Sequence, residues 1–146
     1  MKKFKILSAL MVVLMMFSIS AYAAPAVIYP GTPSGSGDFI VIQNPPTDKA
    51  ATFDKSYIIS GYGKEGTNVC IYKLVNGVYQ KTDYSWTIGA SGMFFKRIEL
   101  DKGKNALICY AEMGGASQSV ALEITYLGTV LSNKINDIKI DLGSLL

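Results

Sequence analysis

From residue 39 to residue 126 short β-rich, largely apolar runs alternate with clusters of Gly, Pro, Asn and Ser. The runs cover residues 39–42, 56–62, 68–74, 78–81, 85–88, 93–100, 105–112 and 119–126, and each carries β-branched and aromatic residues. No stretch before the C-terminal tail shows the spacing of a long amphipathic helix. Turn signals divide the runs: Gly61 to Gly66, the two-residue hairpin pair Asn76-Gly77, Ala90-Ser91-Gly92, and Lys102-Gly103-Lys104. Strands at such regular spacing predict an all-β chain folded as an antiparallel sandwich or barrel. Pro45-Pro46 ends the first run, and because proline has no N–H for a ladder, that strand is expected at a sheet edge.

The flanks read differently. Lys2, Lys3 and Lys5 precede an apolar run from Ile6 to Phe17, and Ala21-Tyr22-Ala23 puts small residues where a signal peptidase reads them, so cleavage is expected between Ala23 and Ala24. The apolar run is shorter than the roughly 20 residues needed to cross a bilayer, and the exported chain is expected to leave the membrane after cleavage. Residues 24–38 are rich in Pro, Gly and Ser and predict a flexible linker. In the tail, Leu131, Ile135, Ile138, Leu142 and Leu145 recur at helical spacing, while Ile138, Ile140 and Leu142 alternate as in a strand. Neither period prevails, and the tail's apolar content fits docking on its own domain as well as engagement of another chain.

Removal of the leader changes the charge. The full chain of 146 residues has 14 basic and 11 acidic side chains; without the three leader lysines the balance is 11 against 11. Phosphate recognition needs clustered Lys and Arg, so nucleic acid is not an expected partner. The 146 residues less 23 leave 123, enough for one core.

Asn44-Pro45-Pro46-Thr47, Ile58-Ile59-Ser60-Gly61, Gly66-Thr67-Asn68-Val69-Cys70-Ile71-Tyr72, Gly92-Met93-Phe94-Phe95 and Leu100-Asp101-Lys102-Gly103-Lys104-Asn105 follow one another in an order that resembles the bacterial immunoglobulin-like domains of secreted and cell-surface proteins, mostly Gram-positive. The resemblance spans about residues 39–126 and implies an immunoglobulin-like antiparallel β-sandwich of about seven strands. The chain then divides into a signal peptide (1–23), a linker (24–38), the sandwich (39–127) and an apolar tail (128–146). Such domains serve as spacers, adhesion units or appendages. By that topology the runs at 68–74 and 105–112 are sheet neighbours, with Val69, Ile71, Leu107, Cys109 and Ala111 pointing inward and Cys70, Tyr72, Ile108 and Tyr110 outward. Ile58, Phe94 or Phe95, Ile98, Leu100, Val120, Leu122 and Ile124 complete the expected core. Cysteines on opposite faces cannot meet disulfide geometry without a bulge or register shift, so two free thiols are expected.

Candidate chemistry is sparse. With no histidine, a Ser-His-Asp or Cys-His arrangement is excluded within the chain, and two cysteines alone do not make a zinc site. Glu99, Asp101, Glu112, Asp48, Asp54 and Asp83 form no recognisable carboxylate pair, Asp48, Asp54 and Asp83 being expected in loops. Neither an enzyme nor a cofactor is expected. The aromatic content stands out: beyond residue 23 there are eight tyrosines, Trp86 and four phenylalanines. Tyr72, Tyr110 and Ile108 are the candidate ligand or partner surface, because outward aromatics on a flat sheet stack on sugars or anchor proteins. The same residues also fit plain cross-strand pairing. The sequence therefore points to a secreted or envelope-located, non-catalytic module with an extracellular protein or polysaccharide as partner. The alternative is an assembly subunit whose tail engages another chain.

Overall fold

The computed structural model describes residues 24–32 and 34–128; the expected signal peptide and residues 129–146 lie outside the described residues. Nine strands follow in order: β1 (Val27–Ile28), β2 (Ile40–Asn44), β3 (Lys49–Thr52), β4 (Ser56–Gly63), β5 (Asn68–Val75), β6 (Val78–Thr87), β7 (Met93–Glu99), β8 (Gly103–Met113) and β9 (Ala116–Tyr126). They form a six-stranded sheet in the order β1-β6-β5-β8-β9-β3 and a three-stranded sheet in the order β2-β4-β7. Neighbours are antiparallel except β3 and β9, which run parallel. The fold is the expected all-β sandwich, in keeping with an immunoglobulin-like arrangement.

Alternation along the strands builds the core. Ile40, Ile59, Phe94 and Ile98 of the small sheet face Val69, Ile71, Leu107, Cys109, Ala111, Leu122 and Ile124 of the large one, with Phe39, Ile88 and Leu100 closing the ends. Burying this apolar surface, at about 25 cal/mol per Å2, drives the two sheets together. Tight approach inside the small sheet depends on Gly61: a Cβ there would come within 2.1 Å of the Val41 carbonyl oxygen, so no larger residue fits between β2 and Phe94. The Asn76-Gly77 turn between β5 and β6 has φ values of 51° and 82°, the left-handed pair that a two-residue hairpin requires.

Several expectations need correction. Ile58 is 40% exposed and Ile59 is in the core, so the inward residue of β4 lies one position later than expected. Between Phe94 and Phe95, the structure selects Phe94. The runs at 78–81 and 85–88 are one strand, β6, which carries Asp83 and is irregular opposite Cys70 and Tyr72. Val120 packs against the core from a half-buried position. β3 was not expected: Lys49-Ala50-Ala51-Thr52 has little apolar signal and is held as an edge by parallel pairing along β9. The first predicted strand, β2, is an edge as expected.

The expected linker is largely built into the fold. Val27 and Ile28 pair with Gln80 and Tyr79 of β6, Ser34 Oγ donates to the Ser119 carbonyl at 3.0 Å, and the Gly37 N–H donates to the Ser117 carbonyl at 3.0 Å. Pro30 and Gly31 form a turn, with the Thr32 N–H donating to the Tyr29 carbonyl at 3.1 Å, and Ile28 and Ala24 supply apolar contacts.

Candidate partner-binding surface

The sandwich has two outer faces, and the structure treats them in opposite ways. On the six-stranded sheet, Cys70 and Tyr72 of β5 lie beside Tyr110 and Ile108 of β8, in the register Cys70 to Tyr110 and Tyr72 to Ile108. These residues share the outward side, as strand parity predicts. They are not, however, an open surface. Tyr72 has 0% exposure, Cys70 6% and Ile108 7%, and Tyr110 is half-buried. With Ile28, Ala24 and Tyr79 they form a second, smaller apolar cluster.

The cover is the N-terminal arm, residues 24–28. The Tyr72 hydroxyl donates to the Pro25 carbonyl, the Lys81 N–H donates to the Ala26 carbonyl at 3.2 Å, and Ile28 lies on the cluster. Tyr72 and Tyr110 meet edge to face, with centroids 5.8 Å apart and planes at 68°. This corrects the reading of Tyr72, Tyr110 and Ile108 as a free ligand platform: an outward apolar cluster of this kind gains by leaving water, and the chain supplies its own cover. Burial pushes the Tyr72 hydroxyl well above the usual tyrosine range.

The thiols follow parity. Both cysteines are free and buried, Cys70 beneath the arm and Cys109 between the sheets. Burial pushes the Cys109 thiol up to about 12. Burial also raises Cys70, with the nearby Lys81 ammonium pulling the other way. Neither environment favours a thiolate, the form in which cysteine reacts.

The three-stranded sheet keeps its outer face in water. Val41, Tyr62 and Met93 form one cross-strand row, since Val41 pairs with Tyr62 and Tyr62 with Met93. Next along the sheet Ser60 pairs with Phe95, then Ile58 with Arg97, then Ser56 with Glu99. Phe95 is 80% exposed, Met93 69% and Tyr62 48%, with Val41 and Ile58 also exposed. The face thus runs from an apolar end to a charged one, where Arg97 Nη1 donates to Ser56 Oγ at 3.3 Å and Lys55 pairs with Glu99 at 3.3 Å. No segment among the described residues covers it.

Sequence reasoning missed this face, although a signal for it was present. Ile98 as a core residue fixes the parity of β7, which puts Phe94 and Lys96 on its side and Met93, Phe95 and Arg97 on the other. On β4 three consecutive apolar residues, Tyr57-Ile58-Ile59, leave parity open, and only the pairing of Ile58 with Arg97 decides it.

Among the described residues, no group of three Cys, Asp or Glu side chains is placed to hold a metal ion. Ala24 begins the described chain and packs into the arm's cluster, while Ala23 lies outside it. No family model matches the chain, and no curated protein matches it.

Proposed function

We propose that this chain is an exported, non-catalytic immunoglobulin-like module of the cell envelope or its surroundings, which binds a protein partner through the outer face of β2, β4 and β7. The observation that carries this reading is the exposed row Val41, Tyr62 and Met93 with Phe95 beside it at 80% exposure. Isolated surface apolar residues are ordinary, but a contiguous set on one flat face, rimmed by charges, characterises an interaction surface. Its chemistry favours a protein over a polysaccharide. Phe, Tyr and Met are enriched where proteins meet, and Val and Ile offer a sugar neither a stacking plane nor a hydrogen bond.

The double variant Met93→Ser, Phe95→Ser tests it. Both side chains point to water, so the variant should keep its far-ultraviolet spectrum and melt within a few degrees of the wild type. Its affinity for an envelope protein that the wild type binds at a measured Kd should fall at least about tenfold, the loss expected when central aromatic and Met anchors go. Unchanged affinity, or loss of binding only when residues 129–146 are deleted, would transfer the function to the tail and support an assembly subunit instead.

A further inference from the structure

The mode of partner binding rests on the reading just given for the outer face and extends it to the backbone. An edge strand presents a row of unpaired N–H and C=O groups, which either invites another strand or must be blocked. The three-stranded sheet has two edges, β2 and β7, and they are capped at different places.

On β2 the blocking group is Gln118 of β9. Its Oε1 accepts from the N–H groups of Phe39 and Ile40 at 2.6 and 2.8 Å, and its Nε2 donates to the Ile40 carbonyl at 2.9 Å. One side-chain amide thus stands where a neighbouring strand would pair with Ile40, at the start of β2.

On β7 the Leu100 N–H donates to the Lys55 carbonyl at 2.8 Å, which sets the antiparallel alternation with β4. Ile98, Lys96 and Phe94 then bond toward β4, and Met93, Phe95, Arg97 and Glu99 turn their backbone groups to the open side. The two ends of that row are capped. Ser91 Oγ accepts from the Met93 N–H at 3.3 Å, and the Tyr84 hydroxyl accepts from the Glu99 N–H at 3.0 Å. Between the caps no acceptor among the described residues meets the N–H groups of Phe95 and Arg97. The same stretch carries positive charge without a carboxylate partner among the described residues: Lys96 Nζ lies 5.9 Å from the Trp86 ring centroid, and Arg97 bonds only to the Ser56 hydroxyl.

We propose that β7 accepts an extended segment of the protein partner as an added strand. Its backbone pairs with Phe95 and Arg97, its apolar side chains continue the Met93 and Phe95 surface, and a carboxylate lies beside Arg97 or Lys96. Main-chain hydrogen bonds then supply affinity, and the flanking side chains and charges supply selectivity, as in other strand-addition complexes.

The test uses the exported chain, including residues 129–146, with two short synthetic peptides of alternating valine and threonine, one with a central aspartate and one with a central lysine. Amide hydrogen exchange is followed by NMR during titration. Addition of the aspartate peptide should slow exchange at Phe95 and Arg97 at least about tenfold, a protection expected of newly paired edge amides. The aspartate peptide should bind several-fold more tightly than the lysine peptide, and Arg97→Glu should reverse that order. If neither peptide binds, or if resonances of Met93 and Phe95 side chains shift while both amides exchange as before, strand addition is wrong; the second outcome leaves docking on the face intact. Protection already present before any peptide, and lost on deleting residues 129–146, would show that the chain's own tail takes the edge, and would overturn the proposal as well.

Discussion

Cys109 and the pair Ile58 and Ile59 show how one residue's environment becomes a measurable property. Cys109 sits between the sheets, and burial raises its thiol from 9.0 to about 12. The unfolded chain therefore releases this proton first as pH rises. The stability that the protonated thiol contributes is complete below about pH 9 and is lost as pH climbs toward 12, amounting to roughly 4 kcal/mol over that window. Denaturant titrations of the wild type and Cys109→Ala at several pH values should show the variant losing less stability across the window; parallel losses would show that burial does not govern the thiol. Ile59 is wholly buried and Ile58 is 40% exposed. Ile59→Ala should then cost about 2–5 kcal/mol and Ile58→Ala well under half of that. Equal costs would place both in the core and contradict the register of β4. Parity was legible in the sequence where apolar and polar residues strictly alternate, as in Arg97-Ile98-Glu99-Leu100-Asp101, whose two apolar residues are both buried. It was ambiguous at Tyr57-Ile58-Ile59, where the deciding neighbours lie far along the chain.

At the scale of elements, the N-terminal arm matters most. Strand β1 is only two residues long, yet residues 24–28 close the outer cluster of the large sheet over Cys70 and Tyr72. Composition made this segment look like a linker, because Pro and Gly dominate residues 30–37 while the covering is done by a few residues before them. Sequence thus identified the outward face of β5 and β8 correctly and could not show that a distant segment lies over it. β3 was hidden for a related reason: its alanines and threonine gain their place from pairing with β9, not from any pattern of their own. Native-state labelling with a small thiol reagent separates the layers. Cys70 should label slowly in a chain of residues 24–146 and at least about tenfold faster once residues 24–31 are removed, since opening an edge segment takes less free energy than global unfolding. Cys109 should stay unlabelled in both until the fold is lost. Equal rates at Cys70 with and without the arm would mean that the arm does not cover it.

Over the whole molecule, the two outer faces differ in how much of their apolar surface the chain itself covers. The large sheet's outer cluster is closed by the chain's own arm, and the start of the β2 edge by Gln118. The small sheet's face and the middle of the β7 edge are left open, with Phe95 at their junction. The resemblance to immunoglobulin-like modules led to the sandwich, but the proposed binding face follows only from which apolar surface the chain itself already covers. Site-specific photo-crosslinking in living cells tests that choice most directly, with p-benzoylphenylalanine placed singly at Tyr62 and Phe95 on the open face and at Tyr29 and Phe53 as exposed positions elsewhere. Positions 62 and 95 should both yield the same discrete protein adduct, and positions 29 and 53 should not. Adducts arising only from 29 or 53, or none from 62 and 95 while the protein is folded and exported, would contradict the assignment of the three-stranded sheet as the binding face.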